Sequence, residues 1–277
     1  MLRHELFKCR HALLILCVVT VLLVLWMYVD PLIVADRASS TSPVDAELLR
    51  SQMAVVQPAF SFNYGLSTLA TMGPFLMAFI GAYVIGSEFR WRTLGGQSAR
   101  LRRKDIINAK LAVLAVIGLV IVLGVISLSL LASLAVSSYL QHTMPAVLTS
   151  TVSSDLWLRL PIQLVVVWAS LMLWGTIAFL CAVVLHSTAL GFIVAMTWAY
   201  LEWLVGPLLG AVQRWLPAAN QSAGLQVFDY VYGAGIIGPT SMALTIPLYQ
   251  SIILTLIYVF LGWRASVVIF HRLEIAG

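Results

Sequence analysis

The chain has 277 residues, of which 61% are hydrophobic and only 10% are charged, with a formal net charge of +5. A soluble domain carries about 25% charged residues, and no soluble fold of this length hides so much apolar surface from water. The composition therefore excludes a soluble enzyme, a disordered chain and a secreted disulfide scaffold. It indicates an integral membrane protein whose main solvent is the lipid bilayer.

The hydropathy pattern predicts six membrane-spanning helices in a single transmembrane domain over 1-277. An apolar helix of about 20 residues crosses the hydrocarbon core, and the chain offers six apolar segments of suitable length. The predicted spans cover about 12-29, 64-86, 107-139, 160-185, 188-210 and 246-263. The class predicted is all-α integral membrane.

Two of these assignments need a choice between alternatives. The first apolar run follows Arg3, Lys8 and Arg10, as in a signal peptide, but it is long and lacks a clean cleavage site, so we expect a retained span. The charge-free run over 160-201 would measure about 63 Å as one helix, twice the hydrocarbon thickness. We therefore expect two spans that meet at His186-Ser187-Thr188.

Three connecting segments stand out between the spans. An external loop is predicted over 30-63, and a basic segment over 87-110. The stretch 211-245 is too apolar for a solvated loop and too rich in glycine for a long helix. A re-entrant or interfacial hairpin between helices 5 and 6 fits it, because irregular backbone at membrane depth has to be covered by protein.

The distribution of Lys and Arg predicts the orientation. With six spans, twelve basic residues fall on the side of the two termini and four on the opposite side. Cytoplasmic loops carry the excess of Lys and Arg, so both termini are expected in the cytoplasm. We expect the chain to lie in the cell membrane of a prokaryote.

The sequence shows no catalytic motif. It contains no GxxxxGK[ST], HExxH or GxSxG, and the histidines and cysteines do not stand at metal-ligand spacing. We therefore expect no enzyme activity, no cofactor and no metal on this chain.

The basic segment has two interpretations. Its Lys and Arg residues suit contact with anionic lipid at the membrane surface. Lipid contact does not explain the apolar and acidic residues Glu88, Phe89, Trp91 and Leu94 mixed among them. A short helix of this composition is typical of a segment that docks into a groove of a partner protein, and we favour docking.

Glu202 is the one acidic residue inside a predicted span, and its neighbours include Trp198 and Trp203. A carboxylate in a span is costly and marks a candidate functional group, here in a substrate path. The structural alternative is a carboxylate that reaches outer water or pairs with Arg214. The sequence does not decide between the two.

The segment around 80-115 resembles the membrane subunit of type-2 ATP-binding-cassette exporters. The resemblance is carried by Gly86-Ser87-Glu88, by Thr93-Leu94, and by Arg103 seven residues ahead of Lys110 at the start of a span. The segment Glu5-Leu6-Phe7-Lys8 is similar to the amphipathic entry helix of that family. The six-span pattern with a broken hairpin before the last span also resembles the family's topology.

The resemblance implies a permease subunit that exports an amphipathic or apolar substrate, such as a drug, an antimicrobial peptide or a lipid-like molecule. The segment 88-103 would contain a coupling helix that docks into a separate ATPase subunit, and ATP and Mg would bind on that partner. The partner-coupling residues implied are Glu88, Phe89, Arg90, Trp91, Thr93, Leu94, Arg103 and Lys110.

The other partners implied are a second permease copy or a related chain, and membrane lipid, with no nucleic acid. One alternative is an ion- or proton-coupled secondary transporter that uses Glu202. An intramembrane enzyme would need clustered acids or histidines, which the sequence lacks.

Overall fold

The structure, a computed structural model, describes residues 18–22, 24–25, 28–29, 58–90, 103–143, 155–224, 228 and 246–272. Every regular element in these ranges is a helix. The helices are α1 (Pro58–Arg90), α2 (Arg103–Thr143), α3 (Asp155–Leu185), α4 (Thr188–Val205), a 3-10 helix (Gly206–Trp215), α5 (Pro217–Gly224) and α6 (Leu248–Arg272). The described residues between 18 and 29 are helical as well.

Within the described residues, four helices are long and apolar enough to cross a membrane, which indicates a multi-pass membrane protein. The candidate spans are Ser61–Phe89, Lys104–Tyr139, Leu158–Leu185 and Leu248–Phe270, and Thr188–Glu202 is a shorter apolar helix. Most of the predicted first span lies outside the described residues. The number of six spans and the side of each terminus stay predictions.

The helices extend beyond the segments that hydropathy marks. Residues 58–63 of the predicted external loop form the first turns of α1, and α6 continues nine residues past 263. Helix α1 also continues through Pro74. Proline is tolerated inside a membrane helix when neighbouring helices pack around it, and Leu171 of α3 packs directly against Gly73.

The predicted fifth span ends earlier than expected. Helix α4 stops at Val205, and the chain turns into a 3-10 helix at Gly206-Pro207. Gly210 has a positive φ of 53°, a left-handed conformation that glycine adopts without steric cost. The apolar composition through 210 therefore conceals a change of backbone direction.

Helix α1 lies at the centre of the bundle and α6 at its edge. In the most apolar stretch of each helix, 72% of α1 is buried but only 22% of α6. Helices α1 and α3 approach so closely that a Cβ added to Gly81 would lie 2.0 Å from the carbonyl oxygen of Gly175. Small residues allow this direct contact of backbones, which is a common basis of helix association in membranes.

Two of the connections, from α1 to α2 and from α3 to α4, have their helix ends at the same end of the bundle. There α1 ends at Arg90, α2 begins at Arg103, and the turn between α3 and α4 lies at His186. The Trp263 indole of α6 donates to Asn108 Oδ1 of α2 at 2.9 Å, which brings the last part of α6 to the same end. We call this the basic end, since the segment rich in Lys and Arg joins α1 to α2 there.

Candidate functional site

A buried ion pair joins the two helices that flank the predicted coupling segment. Lys110 Nζ donates to Glu88 Oε1 at 3.1 Å and also to the backbone oxygen of Val84 at 3.1 Å. Only 1% of the Lys110 side chain and 5% of the Glu88 side chain are exposed. The last turns of α1 and the second turn of α2 are therefore held together from inside the bundle.

Phe89, the next residue, contacts the turn between α3 and α4. Its ring meets the His186 ring edge to face, with centroids 4.7 Å apart and planes at 84°. His186 has a positive φ of 53°, because the chain reverses there between Leu185 and Thr188. The end of α1 thus contacts α2 through Glu88 and the α3–α4 turn through Phe89.

The remaining predicted coupling residues are placed only in part. Arg90 is the last residue of α1, and Arg103 is the first residue of α2. Trp91, Thr93 and Leu94 lie outside the described residues. The pairing of Glu88 with Lys110 could be suspected from their opposite charges, but the contact between Phe89 and His186 has no sequence signal.

Glu202 is bound by two donors of the protein. Trp198, one turn earlier on α4, donates its indole N–H to Glu202 Oε1, and the backbone N–H of Ala218 donates to Oε2 at 2.7 Å. Ala218 is the second residue of α5, so the carboxylate caps the N-terminus of that helix, where unpaired N–H groups favour a negative charge.

The sequence suggests, as a structural alternative, that the Glu202 carboxylate reaches outer water or pairs with Arg214. Arg214, the expected partner of Glu202, lies instead over the Trp215 ring, 5.8 Å from its centroid. Trp203 follows Glu202 on α4. Glu202 itself is 9% exposed. Its role in a substrate path stays a prediction.

Gln221 of α5 links the two central helices. Its Oε1 accepts from the Trp174 indole of α3 at 2.5 Å, and its Nε2 donates to the backbone oxygen of Ala70 in α1 at 2.9 Å. Both partners lie well inside the candidate spans Leu158–Leu185 and Ser61–Phe89. Sequence reasoning missed this residue; the only available signal is an amide side chain within an apolar, glycine-rich stretch.

In the described part of the chain, no group of three or more His, Cys, Asp or Glu residues comes together to hold a metal ion.

Comparison of the chain with protein-family models, with curated proteins and with solved structures finds no match. The described residues define the class of the protein: it is an all-α, multi-pass membrane protein with a buried ion pair at its basic end.

Proposed function

We propose that this chain is the membrane-spanning permease subunit of an ATP-driven exporter, coupled through the segment 88-103 to a separate ATPase subunit. The observation that carries the proposal is the buried Glu88–Lys110 pair, which fixes the two helix ends on either side of that segment. The resemblance of the segment to type-2 ATP-binding-cassette exporters supplies the class. The cargo proposed is amphipathic or apolar, and a second permease copy or related chain completes the pathway.

The ion pair supports coupling for a mechanical reason. A segment that receives force from a partner moves the spans only if its ends are attached firmly to them. Separating Lys110 from Glu88 would leave a charge uncompensated in a buried site, which is strongly unfavourable. A displacement of the segment would therefore carry α1 and α2 with it rather than bend their ends.

The Phe89–His186 contact extends the same path to a second pair of helices. His186 forms the turn that joins α3 to α4. Its edge-to-face contact with Phe89 resists movement of this turn relative to the end of α1. Movement at the end of α1 would reach α3 and α4 through this turn. Such motion of packed helices as bodies is a common form of conformational switching.

The topology that we propose has six spans, both termini in the cytoplasm and a re-entrant hairpin between the fifth and sixth spans. Its support is the position of Gln221, which follows the end of α4 yet contacts Trp174 and Ala70 well inside two candidate spans. After Gly206 the chain returns to the last turns of α4, where the N–H of Ala218 donates to Glu202. Thiol labelling of Gln213→Cys from outside the cell, with no labelling of Lys104→Cys, tests the side of each end.

The binding of Glu202 favours the permease over a carrier that uses this carboxylate. A proton- or ion-coupled carrier needs a carboxylate that exchanges partners during the cycle. Here one oxygen accepts from Trp198 and the other from the start of α5, which is the arrangement of a helix cap.

The deciding experiment is purification of the intact chain from its native membrane in mild detergent, with mass spectrometry of the proteins that co-purify. The proposal expects a stoichiometric partner that carries a P-loop and hydrolyses ATP. A chain that stays folded but retains no ATPase partner, even after crosslinking across 88-103, contradicts the proposal.

A double variant and a control test whether the ATPase partner binds the segment 88-103. Trp91→Ala combined with Leu94→Ala should release the ATPase partner and leave the thermal stability of the purified chain unchanged. The control is Tyr249→Ala, since Tyr249 is an exposed aromatic side chain at the start of α6, away from the basic end. Loss of the partner in the control as well would assign the effect to general disruption.

A further inference from the structure

A small cleft that contains several polar groups lies between α3, α5 and α6. Its polar lining consists of Ser170 from α3, Asn220 and Gln221 from α5, and Ser251 and Thr255 from α6. Ser170 lies near the middle of the candidate span Leu158–Leu185. The cleft therefore gathers hydroxyl and amide groups at a depth where the surroundings are apolar.

Two of these polar atoms lack a hydrogen-bond partner among the described residues. They are Ser170 Oγ and Asn220 Oδ1, on residues that are 4% and 0% exposed. Buried polar groups of native proteins are nearly always paired, and each exception asks for an explanation such as a bound ligand or water. Two exceptions on the walls of one cleft indicate a shared occupant.

The hydrogen bonds around Asn220 fix which of its atoms belongs to the cleft. Its side-chain nitrogen donates to the backbone oxygens of Arg214 at 3.0 Å and Leu216 at 2.8 Å. Both partners are acceptors, so the amide cannot be turned around without placing oxygen against oxygen. Asn220 Oδ1 is therefore the free acceptor, and its partner has to be a donor.

Gly224 leaves room on another wall of the cleft, between α3 and α6. A Cβ on Gly224 would lie 3.0 Å from Val166 Cγ1 and 3.6 Å from Ser251 Oγ, on the wall of the cleft. Ser251 Oγ already donates to the backbone oxygen of Asn220 at 2.5 Å, so its proton is engaged while its oxygen can still accept.

We infer that this cleft is a binding site for a hydroxyl group. A hydroxyl can both donate its proton, here to Asn220 Oδ1, and accept one, here from Ser170 Oγ, so one O–H group has the chemistry that the two unpaired atoms require. The group belongs either to a buried water molecule or to an alcohol carried by a larger molecule. The bound group would hold α5 against α3 and α6. The site does not depend on the ATPase partner or on the proposed export function.

The sign of a stability change tests the inference. Ser170→Ala removes a partner of the bound hydroxyl, so the midpoint of thermal unfolding in detergent should fall by about 2–4 °C. The matched control is Thr176→Val on the same helix, because Thr176 Oγ1 is also buried and unpaired within the described residues but does not line the cleft. Removing that hydroxyl should leave the midpoint unchanged or raise it, since no partner is lost.

A rise or no change in the midpoint for Ser170→Ala, parallel to Thr176→Val, overturns the inference. The same cleft can be inspected by electron cryomicroscopy of the intact chain in lipid nanodiscs at a resolution that shows waters. An isolated peak within hydrogen-bond distance of Ser170 Oγ and Asn220 Oδ1 supports the site with water as its source. A peak continuous with a larger non-protein density supports it with an alcohol. An empty cleft, or density continuous with the polypeptide, overturns it.

Discussion

Lys110 Nζ and Glu88 Oε1 lie 3.1 Å apart, inside the bundle, at the points where α2 begins and α1 ends. The two residues are separated by 22 positions in the sequence, and they lie at the two ends of the basic segment. The ion pair therefore closes a loop whose two ends belong to different helices. Its behaviour under substitution tests whether the charges act as a unit.

Glu88→Gln should lower the free energy of unfolding by about 3–5 kcal/mol, because it leaves the Lys110 ammonium buried without its counter-charge. The double variant Glu88→Gln, Lys110→Met should lose less, since it removes both charges. Thermal unfolding of the purified chain in detergent measures the three proteins side by side. Lys104→Met serves as the control, because Lys104 is exposed on the same helix. A double variant that is less stable than Glu88→Gln alone would contradict a coupled pair.

Gly81→Ala should destabilise the bundle by about 1–3 kcal/mol, the usual cost of adding volume to a closely packed site. The added Cβ would meet the carbonyl oxygen of Gly175 at 2.0 Å, and a backbone atom cannot turn aside. The matched control is Gly124→Ala in α2, where a Cβ meets nothing within 4 Å. The control should be neutral or more stable by up to about 1 kcal/mol, because alanine is the better helix former. Equal midpoints of thermal unfolding for the two variants would contradict the close approach of α1 and α3.

His186→Gly should be more stable than His186→Ala by about 1 kcal/mol, because glycine alone adopts a positive φ without steric cost. Both variants lose the ring contact with Phe89, so the difference between them reports the backbone conformation at φ 53°. Thermal unfolding in detergent gives the order. The reverse order would indicate that residue 186 does not keep the left-handed conformation in the membrane protein.

Glu202→Ala should cost about 0.5–2 kcal/mol, as the loss of a helix cap does, because the N–H of Ala218 loses its acceptor. Trp198→Phe removes the second donor. A double-mutant cycle should give a coupling energy of about 0.5–3 kcal/mol between the two positions. Tyr249→Phe, combined with Glu202→Ala, is the additive control. Additivity of Trp198→Phe and Glu202→Ala would show that the indole does not bind the carboxylate.

Sequence patterns locate the long helices because burial in lipid demands a continuous apolar run of known length. The division of the run 160-201 follows from the same length limit, and in the structure α3 ends at Leu185 and α4 begins at Thr188. Hydropathy detects only the apolar part of a helix, so it gives no signal where the helix continues into polar sequence. For that reason the apolar pattern predicts neither the helix over 58–63 nor the last turns of α6 up to Arg272.

The partners of the polar residues are less predictable. Glu202 binds a backbone N–H of α5, and Gln221 binds the backbone oxygen of Ala70. Backbone groups are present at every position and carry no mark in the sequence, so only the fold selects the one that is used. The resemblance to a coupling segment points to both Glu88 and Lys110, but their pairing inside the bundle depends on how α1 and α2 pack. Their role toward an ATPase partner stays a prediction.

The crossing of Gly81 with Gly175 has a consequence for how the bundle can rearrange. A contact between two backbones contains no rotatable side-chain bonds, so it has a single geometry and no alternative rotamer that would widen it. Helices α1 and α3 can rotate relative to each other about this contact, but they cannot slide along each other without first moving apart. Any rearrangement that preserves the crossing therefore keeps these two helices in register and places its displacement elsewhere in the bundle.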